Sequence, residues 1–78
     1  MEEIIYNSQT IKVIEICREE FGFILFKAVN RGEYYLDIVR NHSFAYWSEI
    51  IEVSEEAANE LIAEPTYYKA QVIFGNHK

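Results

Sequence analysis

Seventy-eight residues leave room for one domain, spanning 1–78, and a chain this short buries only roughly 60–65% of the surface its unfolded form exposes. Half of the residues are hydrophobic and 15% are aromatic, which excludes a disordered chain, while no apolar stretch approaches the ~18–20 residues of a membrane span. A single cysteine, Cys17, excludes an intrachain disulfide and a four-cysteine zinc site, and the net charge of −6 argues against a direct nucleic-acid ligand.

The start, MEEIIYNSQT, is acidic and has no apolar run suited to a signal sequence. With one cysteine, the expectation is a soluble protein of the reducing cytoplasm. A core this small is expected to gain stability from oligomerisation or from a partner.

Residues 11–17, IKVIEIC, are β-branched and read as a strand. Residues 21–29, FGFILFKAV, are apolar at odd and even positions alike, the pattern of a central strand covered on both faces. Asn30, Arg31 and Gly32 supply a turn, with Gly32 free to take positive φ. Residues 33–40 alternate: Tyr34, Leu36 and Ile38 share one face, and Glu33, Tyr35, Asp37 and Val39 the other. The spacing predicts a hairpin of 21–29 with 33–40.

Asn41, His42 and Ser43 form the next predicted turn. Residues 44–53 read as a strand with Ala45, Trp47, Ile51 and Val53 on one side, although Phe44, Trp47 and Ile51 also recur at helical spacing. Ser54 followed by Glu55 and Glu56 is a helix start, since the hydroxyl caps a free N–H and acids suit the positive end of the dipole. Ala57, Ala58, Leu61 and Ile62 give that helix an apolar stripe, and Pro65 ends it near Ala63. Residues 66–74 read as a last, returning strand with Tyr68, Ala70, Val72 and Phe74 on one face. The predicted fold class is α+β, a small antiparallel β-meander of four to five strands with one short helix packed on one face.

The negative charge is not spread evenly. Between Glu49 and Glu64 lie six glutamates (Glu49, Glu52, Glu55, Glu56, Glu60, Glu64) and no lysine or arginine, whereas the remaining residues hold seven acids and seven bases. The whole excess sits in one segment, and such a block gives a directional field able to steer a basic partner. The same acids also suit a solvated face that keeps the protein soluble.

Residues 19–26, EEFGFILF, resemble the central strand of the RNA-recognition motif, with Phe21, Gly22, Phe23, Ile24 and Phe26 aligned. The resemblance implies aromatic stacking on bases. It departs from the family where a basic residue and a glycine belong, because Glu19 and Glu20 stand there and repel phosphate.

Candidate catalytic and metal groups are sparse. His42 lies beside Ser43 and near Asp37, but no nucleophile elbow or glycine-rich oxyanion loop accompanies them, and no enzyme activity is expected. Cys17, His42 and His77 match no metal spacing, and Glu52, Glu56 and Glu60 lack a companion histidine, so no cofactor or metal is expected. Cys17 reads as a small core residue.

Tyr34-Tyr35 and Tyr67-Tyr68 fall in predicted strands, which turns Tyr35 and Tyr67 toward the polar side of the sheet. Tyrosine and tryptophan suit interfaces because they combine apolar area with a polar tip.

The expected function is therefore a small acidic protein-binding module that docks onto and neutralises a basic protein such as a nuclease toxin. In size, acidity and architecture it resembles the small immunity proteins and antitoxins. The candidate contacts are Trp47, Glu49, Glu52, Glu55, Glu56 and Glu60, with Tyr35 and Tyr46 beside them. The alternative is a self-associating domain, a homodimer formed through the tyrosine-bearing sheet face; RNA binding ranks below both.

Overall fold

The computed structural model describes residues 2–20, 22–42 and 45–76, with residues 41 and 42 as backbone only. Phe21, Ser43, Phe44, His77 and the His42 side chain, which figure in the sequence reading, lie outside the described residues.

Five antiparallel strands follow one another in chain order across a single sheet: β1 (Glu2–Tyr6), β2 (Gln9–Glu19), β3 (Phe23–Ala28), β4 (Tyr34–His42) and β5 (Ala45–Val53). Among the described residues two helices follow the sheet, α1 (Glu55–Ala63) and α2 (Tyr67–Gly75). The α+β meander and the central, doubly covered β3 agree with the sequence pattern. So does the β3–β4 hairpin, whose turn places Gly32 at φ +79°.

β1 carries no alternation long enough to announce itself, and the sequence reading assigned it no element. It is held by a two-residue turn in which Asn7 and Ser8 take φ of 51° and 64°, between the register partners Tyr6 and Gln9. Positive φ at both central residues is the type I′ geometry that matches strand twist, and asparagine tolerates it best among side-chain-bearing residues.

The sheet curls. Tyr6 of β1 and Tyr35 of β4 have ring centroids 5.1 Å apart, whereas three inter-strand steps in a flat sheet separate their backbones by about 14 Å. A bulge in β2 between Glu15 and Cys17 contributes, since an extra residue bends a strand and raises its twist. The bulge also switches faces: Val13 belongs to one core and Cys17 packs against the other.

Two cores result. One lies between the sheet and the helices and holds Phe23, Leu25, Leu36, Ile38, Leu61 and Ala70 among others. The second fills the inside of the curl with Ile4, Ile11, Val13, Phe26, Ala28 and Tyr35. Tyr34, Leu36 and Ile38 share the helix-side core as the alternation requires. The expected placement of Tyr35 on a polar face does not hold, because β1 and the curl cover that face.

α1 starts as expected, with Ser54 Oγ accepting from the Ala57 N–H at 3.1 Å. Its buried stripe is narrower than predicted: Ala58 and Leu61 are buried and Ile62 is exposed. The predicted last strand at 66–74 is instead the second helix. Thr66 Oγ1 accepts from the Lys69 N–H at 3.1 Å, and Tyr67, Ala70, Ile73 and Phe74 recur at helical spacing against the first core. The segment is apolar at both periods, and the cap decides between them.

Candidate functional site

β5 begins as surface and ends as core. Ile51 and Val53 pack beneath the helices, while Ala45 through Glu49 are exposed on both faces of the ribbon that β5 makes with β4. Tyr46 is 73% exposed and Trp47 43%. Because side chains alternate, Trp47 and Glu49 stand on the helix side of the sheet, and Tyr46 and Glu52 on the other.

Trp47 and Glu49 are brought together. The indole Nε1 donates to Glu49 Oε1 at 2.9 Å, which orients the carboxylate beside the ring. Arg40 is the register partner of Trp47, and its guanidinium carbon sits 4.6 Å from the centroid of the Phe74 ring. Sequence reasoning missed Arg40, because only the strand pairing and the unexpected α2 bring it there.

The other glutamates divide. Glu55 and Glu56 occupy the first turn of α1, where the helix dipole favours them. Glu60 lies 3.8 Å from Lys69 Nζ of α2, an exposed pair worth at most about 1 kcal/mol, so its charge is partly met within the chain. Glu52 faces away from Trp47.

Tyr35 is withdrawn from the candidate contacts. It is 2% exposed, and its hydroxyl donates to Glu33 Oε2 at 3.1 Å. Burial, followed by the hydrogen bond and charge of Glu33, raises its phenol above the usual range. Tyr67, also expected on a polar sheet face, is half-buried in α2 and donates its hydroxyl to the Val39 C=O at 2.7 Å. Both tyrosines hold the fold together.

The stretch that resembles an RNA-binding strand contributes to both cores. Phe23 and Phe26 are buried in opposite cores, which leaves neither ring free to stack on a base.

A depression of about 400 Å3 lies over Arg18, Glu19, Gly22, Ile24, Asp37 and Ser48. Burial raises the Asp37 carboxyl above its ordinary value, and a hydrogen bond with Ser48 opposes the shift. A raised folded-state value means that the protonated form contributes stability below the unfolded pKa and that this is lost as pH rises through the folded one. Asp37→Asn is therefore expected to be more stable than the parent in urea denaturation at about pH 7, with the gap closing toward about pH 3. A gap that widens on acidification would contradict this.

Burial also raises the thiol of Cys17, with a smaller contribution from Glu15, which disfavours the thiolate. Among the described residues no three His, Cys, Asp or Glu side chains are grouped as metal ligands, and no helix is long and apolar enough to cross a membrane. No family model, curated protein or solved structure matches this chain.

Proposed function

We propose that this protein is an acidic protein-binding module that docks onto a basic protein and blocks it, in the manner of an immunity protein or antitoxin acting in a reducing cytoplasm. The observation that carries the reading is the exposed Tyr46–Trp47 pair on β5, with Glu49 hydrogen-bonded to the indole. Aromatic rings give desolvated anchors at low entropic cost, and carboxylates around them steer a basic surface into contact. A nuclease has such a surface, because it must hold phosphates. Docking is favoured over the self-associating alternative because Tyr35, one of the tyrosines assigned to that dimer face, lies inside the curl.

The test is a charge reversal. Glu52→Lys, Glu55→Lys and Glu56→Lys together are expected to lower capture of the basic partner from host extract by about 10- to 1,000-fold at low salt. The parent protein should release that partner as the screening length falls to about 3 Å near 1 M salt. A partner held equally well by both proteins and at both salt levels would sink the proposal. Inhibition itself is read by adding purified protein to the retained partner and following its activity.

A further inference from the structure

β5 closes the sheet at one side, and among the described residues no segment hydrogen-bonds to its outer edge. Which backbone groups face outward follows from its neighbour. The Val39 N–H donates to the Gly22 C=O at 2.8 Å, and the Glu33 C=O accepts from the Ala28 N–H at 2.8 Å. Odd-numbered residues along β4 thus aim their backbone groups at β3, and even-numbered ones at β5. The register is unbroken and pairs Ile38 with Glu49 and Arg40 with Trp47. Trp47, Glu49 and Ile51 are therefore bonded to β4, while Tyr46, Ser48, Ile50 and Glu52 present N–H and C=O groups outward.

Such an edge is a template for another strand, and proteins ordinarily blunt it with lysine, proline or a bulge. β5 has none of these; its charges are Glu49 on one face and Glu52 on the other. Their register partners are Ile38 and Tyr35, and Arg40, diagonal to Glu49, is stacked on Phe74. At the other edge, β1 is shorter, and its Glu3 already faces Lys12.

The occupant follows from charge. A second copy of the chain pairing antiparallel on β5 offers no lysine or arginine within 45–53, so no register sets opposite charge beside Glu49 or Glu52, and registers centred on either residue set glutamate against glutamate, which is destabilising across strands. An extended segment with lysine or arginine at alternating positions instead sets opposite charge beside Glu49 or Glu52 and continues toward Glu55 and Glu56. We infer that β5 is a strand-addition site whose occupant is an extended basic segment of the protein partner, bound as a sixth strand. The inference rests on the docking function proposed above and adds its main-chain mode: backbone bonds supply affinity, and alternating charges supply selectivity.

The full chain, isotope-labelled for amide exchange, is mixed at low salt with either of two end-blocked peptides of equal length and charge. One alternates lysine with threonine and the other is the same peptide with every backbone nitrogen methylated, so that it cannot donate to a ladder. The unmodified peptide is expected to slow exchange of the Tyr46, Ser48, Ile50 and Glu52 amides by about tenfold or more, and the N-methylated peptide to bind at least about tenfold more weakly. Ser48→Pro removes one outward N–H without altering charge and is expected to abolish binding of the unmodified peptide. If that variant does not fold, the peptide pair still decides.

Equal binding of both peptides without amide protection overturns strand addition and leaves acidic docking standing. Failure of both to bind overturns strand addition too, and docking is then judged by the charge reversal alone. Protection that grows with protein concentration without peptide assigns the edge to a second copy and also overturns the inference.

Discussion

Tyr35→Ala is expected to leave much of the protein unfolded at room temperature. Truncating a buried aromatic residue costs about 3–5 kcal/mol, against a total stability of about 5–15 kcal/mol that lies toward the low end for a chain this small. The ring is not one contact among many. It joins Tyr6 of β1 to Phe26 of β3 in the core inside the curl, so its loss opens a cavity that the curled sheet cannot readily collapse. Tyr35→Phe is the control. It removes only the bond to Glu33, which also holds Arg31 at 3.1 Å, and is expected to cost about 0.5–1.5 kcal/mol. The control carries a pH signature as well. Because the folded-state phenol is raised, the parent loses stability as pH rises from its ordinary value toward the folded one, and the phenylalanine variant does not. Urea titrations followed by circular dichroism measure both effects. An alanine variant within about 1 kcal/mol of the parent would mean the ring lies at the surface, as on a flat sheet.

That flat sheet is what alternation alone describes. Periodicity separated Tyr34, Leu36 and Ile38 from Tyr35 and Asp37 correctly, because a strand permits only two faces. It carries no information on whether the second face is covered. The covering depends on the bulge at Glu15/Cys17 and on the return of β1 through Asn7 and Ser8, and neither leaves a repeating pattern. Caps were legible where a hydroxyl precedes acids, as at Ser54, and were missed at Thr66, where aromatic residues follow and strand propensity competes.

The candidate site was legible by composition and not by position. The glutamate block and the lone tryptophan are plain in the sequence; the open edge is not, because it is a property of strand order. A returning strand at 66–74 placed beside β5 would have covered that edge. With 67–75 folded as a helix on the sheet face, β5 remains the outermost strand, and among the described residues no backbone group pairs with its outer edge. The identity of the last element and the accessibility of the docking surface are therefore one structural fact.

Ala70→Asp and Tyr68→Asp separate the two arrangements. A strand over 66–74 puts residues 68 and 70 on one face, so that both substitutions would place a charge in the core. In α2 they lie about 200° apart around the axis. Ala70 is then 0% exposed against the helix-side core and Tyr68 is 72% exposed. Ala70→Asp is expected to cost more than about 3 kcal/mol, because an unpaired carboxylate has no partner among Phe23, Leu36 and Leu61 and must be protonated or expelled with the helix. Tyr68→Asp is expected to stay within about 0.5 kcal/mol of the parent. Thermal denaturation read by far-ultraviolet dichroism gives both values, and the alanine site should lose helical signal first. Comparable losses at the two positions would restore the strand, close the edge of β5 and remove the ground for a sixth strand there.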